Sequence, residues 1–230
     1  LWLFTSDFIR YIFFKLGYKN VKKWFVLSPI ANQTLINQIG TNKDITKILL
    51  FNIIKKRKKI NFLKRYDFIY PADLKKHKNH NKLILALLSL SDENIKPSFL
   101  FTLTKDEKKK LNFKKLMKKI NIHNFIDNNN RDRFLKKFKQ SICLFFPSEQ
   151  ETIGLPIIEA YNNDLLIATA NLKYAKQFVE PDIVFDGNSI LSIKNTIKKI
   201  YLKKIEKKKT KIKNFKSYLT KKEFFKKLND

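Results

Sequence analysis

The sequence predicts an α/β fold with a parallel sheet flanked by helices. Two observations carry this. From Asp67 to Phe185, short apolar runs alternate with stretches of helical period, the pattern of successive βαβ units. At Ser141–Tyr161, SICLFFPSEQETIGLPIIEAY, an apolar run meets a glycine turn and then a helix start. Six such runs make one Rossmann-like domain.

Ser6–Leu16 reads as an amphipathic helix capped by Ser6 and ended by Gly17. Trp24–Leu27 is strand-like. Pro29 starts a helix that runs to Ile39, with Gly40 as its C-cap. Ile48–Asn52 is a further strand-like run, and the cluster Lys55–Lys59 (KKRKK) marks a boundary. In the alternating region the strand-like runs are Asp67–Tyr70, Ser98–Leu103, Ile122–Ile126, Ile142–Phe146, Leu165–Thr169 and Ile183–Phe185. Helices are expected at Asn79–Leu90, Asp106–Ile120, Arg131–Gln140, Pro156–Tyr161 and Tyr174–Glu180. In the first of these, Leu83, Ile84, Leu87 and Leu88 fall on one face. After an Asp186-Gly187 turn, Ser189–Lys204 continues as a helix. Glu206–Asp230, rich in lysine, reads as a helix or a basic tail. The expected organisation is therefore residues 1–60, then 61–204, then 205–230. No internal repeat is present.

Composition narrows the class. Hydrophobic residues make up 43 %, enough for a globular core. Lys and Arg number 49 against 20 acids, a net charge of +29. That excess fits a nucleic-acid or anionic-membrane partner. It equally fits a general drift towards Lys, Asn, Ile and Phe at the expense of Gly, Ala and Arg. Lysine is spread along the whole chain rather than forming one stripe, which favours the drift. Phe and Tyr sit mostly on apolar faces, as core rather than as base-stacking platforms. Cys143, the only cysteine, allows no internal disulfide and fits a reducing compartment. Leu1–Phe14 is apolar, but Asp7 and Arg10 interrupt it. It is too short to span a bilayer and lacks the marks of a signal peptide. A chain beginning with Leu suggests a fragment, a split gene or an alternative start.

The Ser141–Tyr161 stretch carries the chemistry. Pro147-Ser148 ends the strand, a polar loop of residues 149–153 follows, and Gly154 makes the turn. Pro156 suits the first turn of a helix, since its fixed φ fits and its missing N–H would have no partner there. Glu151 precedes the turn and Glu159 follows it. Ligands of open α/β sheets bind at this edge, and free helix-start N–H groups favour phosphate.

The string Pro147-Ser148, Glu151, Gly154-Leu155-Pro156, Glu159-Ala160 resembles the signature of the retaining GT-B glycosyltransferases, the glycosyl transferases group 1 or family-4 class. The resemblance extends over about residues 65–200. Trp24–Ile53 looks like the strand–helix–strand that closes the family's N-terminal, acceptor-binding domain. The fold it implies is the C-terminal, donor-binding half of GT-B. It assigns Glu159 to the ribose hydroxyls of a nucleotide, which a carboxylate accepting two hydrogen bonds can hold. It assigns Glu151 to the donor hexose near the reacting carbon, where a negative charge favours an oxocarbenium-like transition state. The main-chain N–H groups of Thr152, Ile153, Gly154 and Leu155 would face the diphosphate. Alone, Glu159 reads as a helix-start acid complementing the dipole and Glu151 as a solvated loop acid. Glu149, on the same loop, is expected to be solvated.

Tyr70–His80, YPADLKKHKNH, follows the first strand of this domain. Family members carry an Arg and then a Lys here to neutralise the departing diphosphate. Lys78, followed by Asn79, matches the Lys. Asp73 stands at the Arg position, so Lys75 or Lys76 must substitute or the site is weakened. Thr152 and Ile153 replace the family's usual Gly and aromatic residue. No Asp-x-Asp occurs and the three histidines lack metal-ligand spacing, so no metal and no cofactor are expected.

The resemblance implies a hexosyltransferase using a nucleotide-diphosphate sugar. Its acceptor would be a glycan or lipid-linked hydroxyl, in surface polysaccharide or lipopolysaccharide synthesis. The expected place is the cytoplasm, peripheral at the inner membrane face, with anionic lipid as a partner. About 60 residues precede the donor domain, too few for a whole acceptor domain. A truncated or split, inactive nucleotide-sugar-binding remnant, with the acceptor domain on a separate chain, therefore stays open. A basic nucleic-acid-binding protein is the third reading, and nothing in it explains the glutamate string.

Overall fold

In the computed structural model, the structure describes residues 6–40, 44–47, 63–126 and 131–202. These fall into two compact units, residues 6–40 with 44–47, and residues 63–126 with 131–202. The strand-like run Ile48–Asn52, the Lys55–Lys59 cluster and the tail from Glu206 lie outside the described residues.

The first unit holds helix α1 (Ser6–Gly17), strand β1 (Lys23–Val26), helix α2 (Pro29–Ile39) and strand β2 (Asp44–Lys47). Ser28 caps α2 by accepting the Ala31 N–H at 3.1 Å, and Pro29 opens it. Gly40 closes it at φ +84°, as the sequence implies. β1 and β2 pair in parallel, with Trp24 opposite Ile45.

The second unit is one six-stranded sheet, all parallel: β3 (Tyr66–Tyr70), β4 (Phe99–Phe101), β5 (Ile122–Asn124), β6 (Ser141–Phe146), β7 (Leu166–Ala170) and β8 (Ile183–Phe185). Their order across the sheet is β5-β4-β3-β6-β7-β8. The six predicted strands are all present. They read as continuous apolar runs because helices cover both faces. Phe68 stacks on Phe99, and Phe145 on Phe185, each with ring centroids 4.6 Å apart. These rings are buried, so the phenylalanine-rich composition supplies the core.

Helix α3 (His80–Asp92) packs against α8 (Ile190–Tyr201) through Leu83, Leu87, Ile193 and Ile197, all buried. Two expected helices differ. Asp106–Ile120 is split into α4 (Lys105–Lys110) and α5 (Phe113–Met117), because Asn112 adopts φ +50° between them. Thr104 and Glu107 form a capping box that starts α4 earlier than expected. Tyr174–Glu180 is only a 3₁₀ turn at Lys173–Lys176, since Phe178 and Val179 turn into the core and Pro181 follows. Helix α6 is Arg131–Lys139 and α7 is Leu155–Asn162. Among the described residues, no helix is long and apolar enough to cross a membrane.

His80 opens α3 with its side chain buried against Tyr70 and Phe101, ring centroids 4.8 and 6.0 Å away. Neither ring nitrogen has a partner among the described residues. Burial pushes its pKa down to about 4. Glu107 and Asp73 pull it up, and Lys78 pushes it down. A folded-state value below the unfolded one, about 6.5, means that the neutral ring stabilises the fold fully above pH 6.5. That stability is lost as pH falls from 6.5 to about 4, by roughly 3 kcal/mol at the limit. His80→Phe should flatten this part of the acid limb, read as the urea midpoint against pH. A wild-type-like slope between pH 6.5 and 4 would refute the assignment.

Candidate donor-binding site

The sheet reverses direction between β3 and β6. The chain steps outward from β3 to β4 and β5, then returns to place β6 on the other side of β3. The loops leaving β3 and β6 at their carboxyl ends therefore diverge around a crevice, the usual ligand position in such sheets. Lys78 is on the first loop and Glu151 on the second. Lys78 Nζ lies 2.5 Å from Glu151 Oε1, and each side chain is only 15 % exposed.

The loop after β3 is shaped by its own backbone. A 3₁₀ turn at Lys76–Lys78 ends at Asn79, φ +60°. Glu107 accepts the Leu74 N–H at 2.6 Å. The Tyr70 hydroxyl donates to the Lys78 carbonyl, which fixes the main chain at that lysine. Burial raises the Tyr70 pKa well above its ordinary value, and nearby Tyr174 and Glu151 add to this, so the hydroxyl stays a donor.

The loop after β6 is held through its carbonyls. Glu149 N–H donates to His77 O at 2.7 Å, joining the two loops directly. Tyr174 Oη donates to Ser148 O at 2.5 Å, and Gln177 Nε2 donates to Thr152 O at 2.9 Å and Ile153 O at 3.2 Å. Burial, then the Glu151 charge, raises the Tyr174 pKa and keeps it protonated. Gly154 turns the chain at φ +69° into α7. With their carbonyls occupied from one side, the N–H groups of Thr152, Ile153, Gly154 and Leu155 donate to no group among the described residues. Such amides at a helix start favour an anion.

The expected residues are thus brought together at one edge: Lys78, Glu151 and the amides of 152–155. Glu159 is the fifth residue of α7, at the start of its second turn rather than in the first, and is half-buried. Glu149 is not simply solvated, because Lys82 Nζ lies 2.8 Å from it. Asp73 binds Lys75 at 2.7 Å, so the acid at the position of the family's Arg occupies one of the lysines expected to replace it. Burial opposes ionisation of Asp73, but Lys75 and then Lys78 outweigh it and hold the carboxyl below its usual range. Sequence reasoning missed Tyr174 and Gln177, which reach the loop from the segment after β7. No local spacing signals them.

An alanine Cβ at Gly154 would stand 3.2 Å from Ile157 Cδ1 and 3.5 Å from Tyr174 Cδ2, on a backbone that L-residues avoid. Gly154→Ala should lower stability by about 1–2 kcal/mol in urea unfolding. An unchanged midpoint would show that the turn relaxes freely.

The family described as glycosyl transferases group 1 matches residues 52–217. No curated protein matches the chain by sequence. Similar solved structures include TarM, at 16 % identity and TM-score 0.65, covering 87 % of this chain and 41 % of that one. A pneumococcal O-GlcNAc transferase, GtfA, solved with UDP and GlcNAc, has 16 % identity and TM-score 0.64, with 86 % and 42 % covered. WaaG, a glycosyltransferase involved in lipopolysaccharide biosynthesis, has 15 % identity and TM-score 0.59, with 86 % and 59 % covered. The chain thus spans about two fifths to three fifths of the length of these relatives, which share its fold.

Proposed function

We propose that this chain, which belongs to the glycosyl transferases group 1 family, binds a nucleotide-diphosphate sugar where β3 and β6 part. It passes the hexosyl group, with retention, to a hydroxyl of a glycan or lipid-linked acceptor. The observation that carries the reading is the meeting of Lys78 and Glu151 beside the open amides of residues 152–155. A cation and a row of N–H groups suit a diphosphate. A carboxylate next to them suits the positive charge that develops on the reacting sugar carbon. Glu159 accepts the ribose hydroxyls.

Lys78 and Glu151 neutralise each other across the two loops. Donor entry then exchanges partners: the diphosphate takes Lys78, and Glu151 is released towards the hexose. As the diphosphate leaves, Lys78 and the loop amides stabilise its growing charge without reorganising solvent. Solved relatives bound to UDP and a sugar support this class of donor. The involvement of WaaG in lipopolysaccharide biosynthesis supports a cell-surface glycan as product. The reading puts the work at the cytoplasmic face of a membrane, where a +29 charge favours anionic lipid.

Calorimetry with UDP, GDP and their sugars tests this. Wild type should bind, Glu159→Ala should bind more weakly, and Lys78→Ala should lose about tenfold or more. Glu151→Gln should bind the sugar-free diphosphate as tightly as wild type or tighter, because Lys78 then has no competitor. No binding by wild type, or equal binding by Glu159→Ala and Lys78→Ala, sinks the assignment. Turnover with and without a chain carrying an acceptor-binding half separates a transferase from a protein that only binds.

The Asp73–Lys75 pair leaves the position of the family's Arg acidic. Asp73→Arg should therefore tighten nucleoside-diphosphate binding, by about tenfold for one added charge-assisted contact. Unchanged or weaker binding would mean that this position does not face the diphosphate.

A further inference from the structure

We infer that Asn79 is the positioning residue of the site: its backbone aims Lys78, and its side-chain amide pins three loops of the carboxyl edge in one arrangement. The inference rests on the diphosphate reading of Lys78.

Asn79 is 5 % exposed and sits at φ +60°, ψ +29°. Its N–H closes the 3₁₀ turn on Lys76 O at 3.1 Å, and its carbonyl accepts the Leu83 N–H at 3.3 Å to begin α3. Lys78 is therefore the last residue of a turn whose exit direction is set by a left-handed backbone. Asn79 Nδ2 donates to Gly187 O at 2.7 Å and to Pro147 O at 3.2 Å. Pro147 follows β6 and Gly187 follows β8, so one amide ties the loop after β3 to loops on both sides of β7. Gly187 itself sits tightly among its neighbours. A Cβ there would lie 3.1 Å from Ala170 Cβ and 3.7 Å from Pro147 O.

Few residues do both jobs. Glycine takes the left-handed backbone but brings no donors. Aspartate tolerates the backbone but would turn acceptors towards two carbonyls. Alanine brings no donors and resists the backbone. Loss of the amide leaves Pro147 O and Gly187 O without this donor and frees the loop that carries Glu151 from the turn that carries Lys78. The pair would then no longer present its charges at one point.

The test is UDP calorimetry on the full chain, for Asn79→Asp and Asn79→Gly, each alone and combined with Lys78→Ala. Asn79→Gly preserves the backbone geometry and guards against a variant that only fails to fold. Both single variants should lose about tenfold or more in UDP affinity, Asn79→Asp the more. In the Lys78→Ala background the same changes should cost clearly less than in wild type, because much of the effect runs through that lysine. Leu87→Ala, a core truncation in α3 far from the loops, should lower the urea midpoint while keeping UDP affinity. Additive losses, or wild-type affinity in both Asn79 variants, overturn the positioning role while leaving UDP binding intact. Absence of UDP and GDP binding by wild type overturns the diphosphate reading and this inference with it.

Discussion

A parallel sheet that changes direction between β3 and β6 leaves the loops at its centre with little to pack on except one another. Everything at the candidate site follows from that constraint. The loop after β3 runs from Pro71 to Asn79 and closes with a 3₁₀ turn that passes directly into α3. The loop after β6 runs alongside it, and the two share the His77–Glu149 backbone hydrogen bond. Buried hydroxyls and amides from Tyr70, Tyr174, Gln177 and Asn79 then take the carbonyls of these loops. An arrangement that spends its carbonyls inward leaves its N–H groups for whatever enters the crevice. Polarity at the site is thus a by-product of how the loops are held.

Charge at the site is local, and the +29 of the whole chain is a poor guide to it. Three acids around the crevice have a lysine: Glu151 with Lys78, Glu149 with Lys82, Asp73 with Lys75. The three pairs differ in exposure. Asp73 and Lys75 are 41 % and 65 % exposed, where an ion pair is worth little. Lys78 and Glu151, at 15 %, are shielded, so separating them without replacement is costly. Any group that parts them must offer a new partner to each.

The fold was legible because the strands are buried on both faces. Ile142–Phe146 could be read as a strand from a short apolar run alone, since four of its five residues are buried and no polar alternation blurs it. The turn at Gly154 and the helix behind it were equally plain, because Pro156 and Gly154 each tolerate few other roles. What could not be read depends on side chains meeting across the sheet. Tyr174 and Gln177 lie more than twenty residues from the carbonyls they hold, and nothing in their neighbourhood marks them. The resemblance assigns Lys78 and Glu151 to different parts of a donor, yet in the fold they pair with each other. The Asp106–Ile120 stretch looked like one helix because lysines satisfy a helical pattern without demanding it. Asn112 breaks it at little cost, since asparagine accepts a left-handed backbone and adds little helix propensity.

The scarcity of glycine sharpens this last point. The chain has only 4 glycines, and among the described residues four left-handed positions fall on Asn79, Asn94, Asn112 and Asp164. A composition drifting from glycine towards asparagine can keep such turns, because the short polar side chain reduces the steric cost. Two of the 4 glycines stand where a Cβ has little room, Gly154 against Ile157 and Gly187 against Ala170, whereas Gly17 and Gly40 have open space there. Asn79 stands between these cases. Its backbone could belong to glycine, but its amide bonds the carbonyls of Pro147 and Gly187, which glycine could not do. A Cβ at Gly187 would meet Ala170 first, so that glycine answers the packing of β7, whereas Asn79 answers the two carbonyls that need its donors.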